Sequence, residues 1–479
     1  MQDLIFINNK FVNSLSGKTF GVVDPSTEKE VCCVAEGDAA DIDSAVKAAR
    51  AAFLRDSPWR CMDASQRGRL LYRLADALAA NVDYLSQLEA LDAGKPLESA
   101  RGDVDFAIDT VRYYAGYADK IHGKVVIPCN GDVICYTRRE PVGVVGAIIP
   151  WNYPLDLIAM KVAPALCAGC CIIVKPAEET PLSALFFAHL VEQIGFPPGV
   201  VNVVPGFGET AGAALASHPD VDAVTFTGST AVGHSVMLAG AGTFKRVNLE
   251  LGGKSPLIIF ADADLDKAAS VAFEGVMENA GQCCVAATRT FVEASVYEEM
   301  LERFKRLAEQ RVVGDPFKSG VEQGPQVLIC FALSLVTFEE GARLVAGGRR
   351  LGDKGFYIAP TVFGDVRDDM RIASEEIFGP VQVVLQFHDI EEVIQRANSS
   401  HYGLGGGVFT TDMDKAFRVA QALEAGTVWF VINSYNTSPV MQPFGGYKHS
   451  GVGRENGKDG LKFFTEIKTV SMPISKKNS

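Results

Sequence analysis

Short apolar runs alternate with longer segments of helical periodicity over much of the chain. The apolar runs are rich in Val and Ile, and each is followed by Gly, Pro or polar residues, which is typical of buried strands. The first strands predicted in this way are Val144–Ile149, Ile172–Val174, Val201–Val204 and Ala223–Thr227. Helical patterns at Leu182–Ile194 and Thr210–Ser217 lie between them. This order predicts a parallel α/β sheet whose strands are connected by crossover helices.

A second alternating set begins after Gly253. Its predicted strands are Leu257–Phe260, Thr290–Val292, Val381–Phe387 and Thr427–Ile432. Upstream of both sets, leucines recur at helical spacing from Leu70 to Leu91, and Gly94 follows as a helix stop. Because 479 residues are too many for one ordinary hydrophobic core, we expect at least two domains.

A β-hairpin is predicted just ahead of the first set. Lys124–Ile127 and Val133–Tyr136 are separated by a segment that contains Asn130-Gly131, a pair that favours tight hairpin turns. A hairpin that projects from an α/β domain leaves open strand edges, and such edges are usually covered. We therefore expect another segment or another subunit to pair with it.

Composition limits the class of protein and its partners. The chain is 48% hydrophobic and 22% charged, which indicates an ordered globular protein. A net charge of −13 argues against a nucleic-acid surface, which needs clustered Lys and Arg. Neither a signal peptide nor a spanning helix is evident, so no membrane partner is expected.

The cysteines and histidines indicate neither a disulfide framework nor a metal site. The eleven cysteines include three vicinal pairs, which are poor disulfide partners, so we expect a reducing, cytoplasmic compartment. Cys167 and Cys170 have two-residue spacing but no second pair, and the seven histidines include no i, i+4 pair. We expect no bound metal.

One thiol and one carboxylate stand out as candidates for chemistry. Cys284 lies in Gly281-Gln282-Cys283-Cys284, and Glu250 lies in a glycine-flanked turn after a hydrophobic run. A thiolate attacks carbonyl carbon, and a Glu held in a turn can activate water later in the same cycle. The alternative is structural, with buried inert cysteines and a Glu that caps a helix.

Seven ordered motifs together resemble the signature regions of the aldehyde dehydrogenase superfamily. They are Pro150-Trp151-Asn152, Val174–Glu178, Phe226–Thr230, Leu249–Lys254, Gly281–Cys284, Glu375–Pro380 and Pro443–Gly446. The resemblance implies a Rossmann-like cofactor domain at 1–118 and 142–252 and a catalytic α/β domain at 253–455. It also implies an oligomerisation arm at 119–141 and 456–479, hence a homo-oligomer, either a dimer or a tetramer.

The resemblance also implies a reaction. Cys284 would attack an aldehyde, Asn152 would donate to the oxyanion of the thiohemiacetal, and hydride would leave to NAD. Glu250 would then activate water to hydrolyse the remaining thioester to a carboxylic acid. The alternatives are an inactive, crystallin-like descendant of the family and an acyltransferase or esterase without redox chemistry.

Glycines after two predicted strands are suited to a dinucleotide site, because phosphates can approach backbone N–H groups at a helix N-terminus. Neither turn has a regular G-x-G-x-x-G spacing, so close helix–strand packing explains these glycines equally well. The cofactor-binding residues that the resemblance implies are Trp151, Lys175, Glu178, Gly208, Gly228, Ser229, Val232, Glu376 and Phe378. A carboxylate at Glu178 would repel a 2′-phosphate, which favours NAD over NADP.

Several features leave the substrate open. Arg112–Lys120 is similar to the class that oxidises acetaldehyde and retinal, whereas Tyr435–Val440 is similar to enzymes for betaine aldehyde and aminoaldehydes. Asp156 stands where many relatives have an apolar residue, so it would either attract a cationic aldehyde or point into solvent. The role of Lys161 stays open, and the apolar segment 328–338 replaces a polar helix of relatives.

Overall fold

The computed structural model describes residues 4–127, 133–327, 340–430 and 435–474. Elements are numbered in chain order. The helices are α1 (Ala39–Ala52), α2 (Pro58–Cys61), α3 (Ala64–Ala80), α4 (Val82–Ala93), α5 (Leu97–Ala115), α6 (Pro154–Ala168), α7 (Leu182–Ile194), α8 (Ala213–Ser217), α9 (Thr230–Ala241), α10 (Leu265–Met277), α11 (Tyr297–Gln310), α12 (Arg371–Ser374), α13 (Ile390–Asn398), α14 (Met413–Ala422) and α15 (Gly457–Gly460). Within the described ranges, none of the helices combines the length and apolar character needed to cross a membrane.

The first sheet contains eight strands in the described part of the chain. Their spatial order is β19 (Gly451–Val452), β11 (Arg246–Glu250), β10 (Ala223–Thr227), β7 (Val144–Ile148), β8 (Cys171–Lys175), β9 (Val201–Val203), β1 (Ile5–Ile7) and β2 (Lys10–Val12). The five strands from β11 to β9 are parallel, as the alternating pattern predicts. Helices α1, α6, α7 and α9 pack against this sheet, and α3 and α5 pack on α6, in one large core.

The second sheet has seven strands among the described residues. Their order is β14 (Arg343–Ala346), β15 (Thr361–Gly364), β16 (Val381–Phe387), β13 (Arg289–Glu293), β12 (Pro256–Ile259), β17 (Gly405–Phe409) and β18 (Thr427–Phe430). Alternate residues of β12 face opposite cores: Leu257 and Ile259 lie in one cluster, and Ile258 lies in the other. A sheet buried on both faces explains why its strands are continuously apolar.

Two smaller sheets complete the architecture. β5 (Val125–Val126) and β6 (Val133–Pro141) pair antiparallel, and β20 (Thr465–Pro473) pairs with the other edge of β6. The expected covering segment is therefore the C-terminal strand, while the predicted Asn130-Gly131 turn lies outside the described residues. β3 (Thr19–Asp24) and β4 (Lys29–Ala35) form a separate hairpin.

The predicted elements agree with the structure except in three places. The leucine pattern from Leu70 to Leu91 spans two helices, because α3 ends at Ala80 and α4 begins at Val82. Gly94 does end α4, with a left-handed φ of 67°. The segment predicted as one helix at 210–217 begins as a π-helical turn at Gly208–Gly212 before α8. Glu250 ends strand β11 rather than lying in a turn. The apolar segment 328–338 lies outside the described residues.

Candidate active site

Candidate residues from the ends of five strands lie along one edge of the first sheet, where the carboxyl ends of its parallel strands are. Asn152 follows β7, Lys175 ends β8, Gly208 follows β9, Ser229 follows β10 and Glu250 ends β11. The chain order reverses at β7, with β8 and β9 on one side and β10 and β11 on the other. Ligands of open parallel sheets bind at such a reversal.

The second sheet domain contributes the cysteine loop. Asn279, Ala280 and Gly281 follow α10 with left-handed φ angles of 48°, 55° and 75°. Such backbone costs about 1–3 kcal/mol for each non-glycine residue and is concentrated at functional sites. Gln282 fixes the loop, because its Oε1 accepts from the Val327 N–H at 2.9 Å and its Nε2 donates to the Asn279 carbonyl at 3.0 Å.

Two glycines lie where three of the motifs contact one another, and neither position has room for a Cβ. A Cβ on Gly253 would lie 2.3 Å from the carbonyl oxygen of Cys284, and one on Gly252 would lie 2.2 Å from Oε2 of Glu376. The Gly253 N–H also donates to Oε1 of Glu376 at 2.9 Å. The Leu-Gly-Gly-Lys segment, the cysteine loop and the Glu-Ile-Phe-Gly-Pro segment therefore contact one another directly.

A cavity of about 490 Å³ lies at this junction. The expected site residues that line it are Trp151, Asn152, Gly228, Ser229, Glu250, Cys284, Glu376 and Phe378. Lys175, Glu178, Gly208 and Val232 are not part of its lining, although they lie near the same edge of the first sheet. The Trp151 and Phe378 rings meet edge to face, with centroids 5.3 Å apart.

Asn152 is tied to the cysteine loop from two sides. Its Nδ2 donates to the Gln282 carbonyl at 3.0 Å, and its own carbonyl accepts from Asn279 Nδ2 at 2.8 Å. The side chain is buried. An amide fixed in this way is a preorganised donor beside Cys284.

The two cysteines of the loop differ in their surroundings. Cys283 is buried, and its sulfur accepts from Asn436 Nδ2 at 3.6 Å. Cys284 is half-buried. A hydrogen bond with the Cys283 thiol, followed by burial, holds the pKa of Cys284 well above its usual value. The Cys284 thiol is therefore neutral at pH 7 and needs a base when it reacts.

Glu250 has an unusual environment for a carboxyl group. It is buried, and within the described residues neither of its oxygens has a hydrogen-bond partner. Burial and the charge of Glu455 raise its pKa well above the usual value, while Lys161 opposes this shift. A carboxyl group with a raised pKa is suited to take up a proton near neutral pH.

Sequence analysis missed Glu455, which forms a buried network next to Glu250. It pairs with Lys161, whose side chain is fully buried. The same oxygen, Oε1, accepts from Thr225 Oγ1 at 3.1 Å and from Asn248 Nδ2 at 3.0 Å. In the sequence, Glu455 lies between Gly453 and Gly457, much as Glu250 lies next to glycines, and this similarity could have identified it.

The residues further along the sheet edge fit a dinucleotide. Lys175 Nζ lies 2.8 Å from Glu178 Oε2, so this pair offers both a donor and an acceptor to ribose hydroxyls. Ser229 caps α9 by accepting from the Val232 N–H at 3.3 Å, and it is exposed with Gly228 beside it. A helix N-terminus of this kind binds phosphate.

Glu376 and Phe378 lie between this edge and the cysteine loop. Burial raises the pKa of Glu376 to about 7, even though its carboxylate accepts the Gly253 N–H. Phe378 has a left-handed φ of 57°, which turns the segment toward Trp151. Both side chains line the cavity, next to other candidate cofactor residues.

Asp156 lines the same cavity and is 9% exposed, so the expectation that it points into solvent is wrong. Asp103 and Glu278, which the sequence analysis did not select, line the cavity as well. The signal for Glu278 was an acid directly after a hydrophobic helix and just before Gly281.

Comparisons with known proteins identify the family. The family model described as "Aldehyde dehydrogenase family" matches residues 11–470. The mitochondrial aldehyde dehydrogenase of Rattus norvegicus is 56% identical over 99% of this chain and 92% of its own length. Cytosolic aldehyde dehydrogenase 1 of the same species is 55% identical over 99% of this chain and 96% of its own.

A solved structure agrees in fold as well. The NAD+ complex of an aldehyde dehydrogenase from Bacillus cereus is 48% identical, with a TM-score of 0.96 over 98% of this chain and 96% of that chain. The match extends over both large sheets and the cysteine loop. The chain belongs to the aldehyde dehydrogenase family.

Proposed function

We propose that this protein oxidises an aldehyde to a carboxylic acid with NAD, through a thiohemiacetal and then a thioester on Cys284. The observation that carries the proposal is that Cys284, Asn152 and Glu250 line one cavity together with candidate cofactor residues. A nucleophile, an oxyanion donor and a base are the three groups that the reaction needs from the protein.

The first step is attack of the Cys284 sulfur on the carbonyl carbon. Because the thiol is neutral, its proton passes to water in the cavity as the carbon–sulfur bond forms, and Glu250 stays ionised for the later hydrolysis. The developing oxyanion receives hydrogen bonds from Asn152 Nδ2 and the Cys284 backbone N–H. Losing one such donor costs roughly 3 kcal/mol of barrier.

The cofactor site extends along the edge of the first sheet. Lys175 and Glu178 hold the adenine ribose hydroxyls, and Gly208 lies by the adenine. Gly228 and Ser229 receive the pyrophosphate at the start of α9, with Val232 and Trp151 beside the cofactor. Glu376 holds the nicotinamide ribose and Phe378 packs next to it. Bound NAD supplies the hydride acceptor.

Glu250 acts after hydride transfer. Its carboxylate takes a proton from a water molecule, whose oxygen attacks the thioester carbonyl; the carbon–sulfur bond breaks, the acid leaves, and Glu250 returns the proton to the Cys284 sulfur. The buried, unpartnered carboxyl supports this role, because its raised pKa makes it a stronger base than an ordinary Glu. Glu178 favours NAD over NADP by repelling a 2′-phosphate.

We also propose the division into cofactor domain (1–118, 142–252), catalytic domain (253–455) and arm (119–141, 456–479). The arm exposes Val125, Ile127 and Ile467 at 80%, 91% and 59%. Apolar side chains this exposed support a homo-oligomer, a dimer or a tetramer. A cytoplasmic location fits the reduced cysteines, although relatives include both cytosolic and mitochondrial forms.

The experiment follows NADH absorbance with propanal as substrate. Wild type should reduce NAD, whereas Cys284→Ala should lose at least about 10³-fold in turnover, because the nucleophile is gone. Cys283→Ala is the matched control and should keep turnover within about tenfold. NAD binding, measured by quenching of tryptophan fluorescence, should persist in Cys284→Ala.

Equal losses in the two cysteine variants would contradict the assignment of the nucleophile. A wild type that binds no NAD and oxidises no aldehyde would favour the inactive, crystallin-like alternative, which nothing in the cavity or the comparisons favours. Ester hydrolysis without any NAD reduction would favour the acyltransferase or esterase alternative.

A further inference from the structure

The wall of the cavity holds more carboxyl groups than aldehyde oxidation uses. Asp103, Asp156 and Glu278 line it in addition to Glu250 and Glu376. Asp103 and Asp156 come from α5 and α6, and Glu278 follows α10. Three helices from both domains thus place acids at one end of a cavity that must admit an aldehyde.

One lysine lies close to these acidic side chains, which together form an acidic wall of the cavity. Lys95 is 2% exposed, forms an ion pair with Asp103, and lies 3.7 Å from the centroid of the Tyr153 ring. Burial raises the pKa of Asp103, Asp156 and Glu278, and also that of Glu89 nearby, and the charge of Lys95 opposes each of these shifts. In the described part of the chain, one cation thus opposes the raised pKa of four buried carboxyl groups, and a further positive charge in the cavity would favour their ionised forms.

Asp156 is the carboxyl group left without a protein partner. Its Oδ1 is buried and makes no hydrogen bond to any described residue, whereas Glu278 accepts from Asn436 Nδ2 at 2.9 Å. Burial raises the pKa of Asp156 well above its usual value, and Asp103 adds to the shift. A carboxyl group placed in this way gains from any cation that enters the cavity.

Neither a helix-capping role nor a bound metal ion accounts for the geometry of Asp156. It lies in the first turn of α6, where a negative charge is favourable, but no side chain caps that helix start. A metal ion would need several ligands together. In the described part of the chain, no group of three or more His, Cys, Asp and Glu side chains is arranged to hold one.

We propose that this cavity selects aldehydes that carry a positive charge, either a protonated amine or a quaternary ammonium group, with the cation bound beside Asp156. This inference rests on the proposed function, since it assigns the substrate class of the same site. Glu278 adds a second carboxyl group, and Phe106 and Phe444 line the same cavity with aromatic rings, a side-chain type that attracts cations. The aldehyde end of the substrate extends to Cys284.

The test compares two aldehydes of the same shape that differ in one charge. Trimethylammonioacetaldehyde is the cation, and 3,3-dimethylbutanal is its neutral isostere. Wild type should show a kcat/KM at least about tenfold higher for the cation, the effect of one charged interaction in a desolvated site. Butanal and 3-aminopropanal, as a second pair, distinguish a protonated amine from a quaternary ammonium group.

Asp156→Asn is the decisive variant because it removes the charge and keeps the shape. It should lower kcat/KM for the cation about tenfold to hundredfold, mainly through KM, and change that for the neutral isostere less than about threefold. Asp56→Asn, which removes one charge from the exposed surface, is the matched control and should change neither value. Glu278→Gln should have a smaller effect than Asp156→Asn, because Glu278 has a protein partner.

The net charge of −13 offers a competing explanation, since any cation is attracted to an acidic surface. Surface attraction is screened at about 0.5 M salt, whereas a buried pair is screened much less. A preference that disappears in high salt, or equal losses for both aldehydes in Asp156→Asn, would overturn the inference. If wild type oxidised only the neutral isostere, the inference would fail while the proposed function stood; if it oxidised neither, both would fail.

Discussion

Glu250 and Glu455 line the same cavity and are 4% and 6% exposed, yet their surroundings are opposite. Glu455 pairs with Lys161 and accepts further hydrogen bonds from Thr225 and Asn248. Among the described residues, Glu250 has no hydrogen-bond partner for either oxygen. Among these residues, Glu455 has three partners at Oε1 and none at Oε2, whereas Glu250 has no hydrogen bond, and the more distant charge of Lys161 favours its ionised form.

The contrast separates a group that stabilises the fold from a group available for chemistry. A buried carboxylate with several partners is tied into the fold, and removing a partner is costly. Ionisation of a buried carboxyl group without partners is unfavourable, so the group binds a proton more tightly. The same chain therefore contains a structural carboxylate and a proton acceptor in contact with one cavity, and substitutions should affect them differently.

The largest expected effect is on Glu250. Glu250→Gln keeps the shape and removes the base, so steady NAD reduction should fall about 10²- to 10⁴-fold. The first turnover should still produce a burst of NADH, after which acyl-enzyme accumulates and is detected by intact mass. The unfolding midpoint should move by less than about 3 °C, because no hydrogen bond to a described residue is lost. Steady turnover at the wild-type rate would contradict the role of Glu250.

The next effect is on stability and concerns the Glu455 network. Lys161→Met keeps the length of the side chain and leaves Glu455 buried without its cation, so the free energy of unfolding should fall by about 3–5 kcal/mol. Urea denaturation followed by fluorescence measures it.

The control is the double variant Lys161→Met with Glu455→Gln. It should be less destabilised than the sum of the two single variants, because neither charge is then left alone. Additive losses would show that the two side chains do not stabilise the fold as a pair, and the contrast with Glu250 would lose its basis.

Much of this fold was predictable because buried parallel strands leave a strong pattern. β10 and β16 have the bounds that their Val- and Ile-rich runs predict, and α7 matches its helical pattern. β17, Gly405–Phe409, was missed because three of its five residues are glycines. A Cβ on Gly407 would lie 2.5 Å from the Leu257 side chain, so the packing that requires glycine also removes the strand signal.

The candidate site was predictable only where residues carry recognisable motifs. Cys284, Glu250 and Asn152 stand in such motifs and do line one cavity. Glu455 and Asp103 were missed because their meaning comes from partners far away in the chain, Lys161 in one case and Lys95 in the other. A single sequence gives no sign of which charges will be buried together, and only the packing of helices on the sheet does so.

The smallest expected effect is a shift in the pH dependence of hydrolysis, and it is the finest test of the contrast between the two glutamates. Glu250 acts as a base only when ionised, so hydrolysis of the acyl-enzyme should rise with pH through its raised pKa. The charge of Glu455 raises that pKa and the charge of Lys161 lowers it. Glu455→Gln should therefore move the rising limb to lower pH, and Lys161→Met should move it to higher pH.

The decay of acyl-enzyme formed from p-nitrophenyl acetate measures this limb without NAD reduction. At neutral pH the rate should change by about threefold to tenfold, upward in Glu455→Gln and downward in Lys161→Met. A general disturbance of packing would slow both variants and leave the limb in place. Because the two substitutions break the same ion pair, shifts in opposite directions can only come from the charge that each one removes near Glu250.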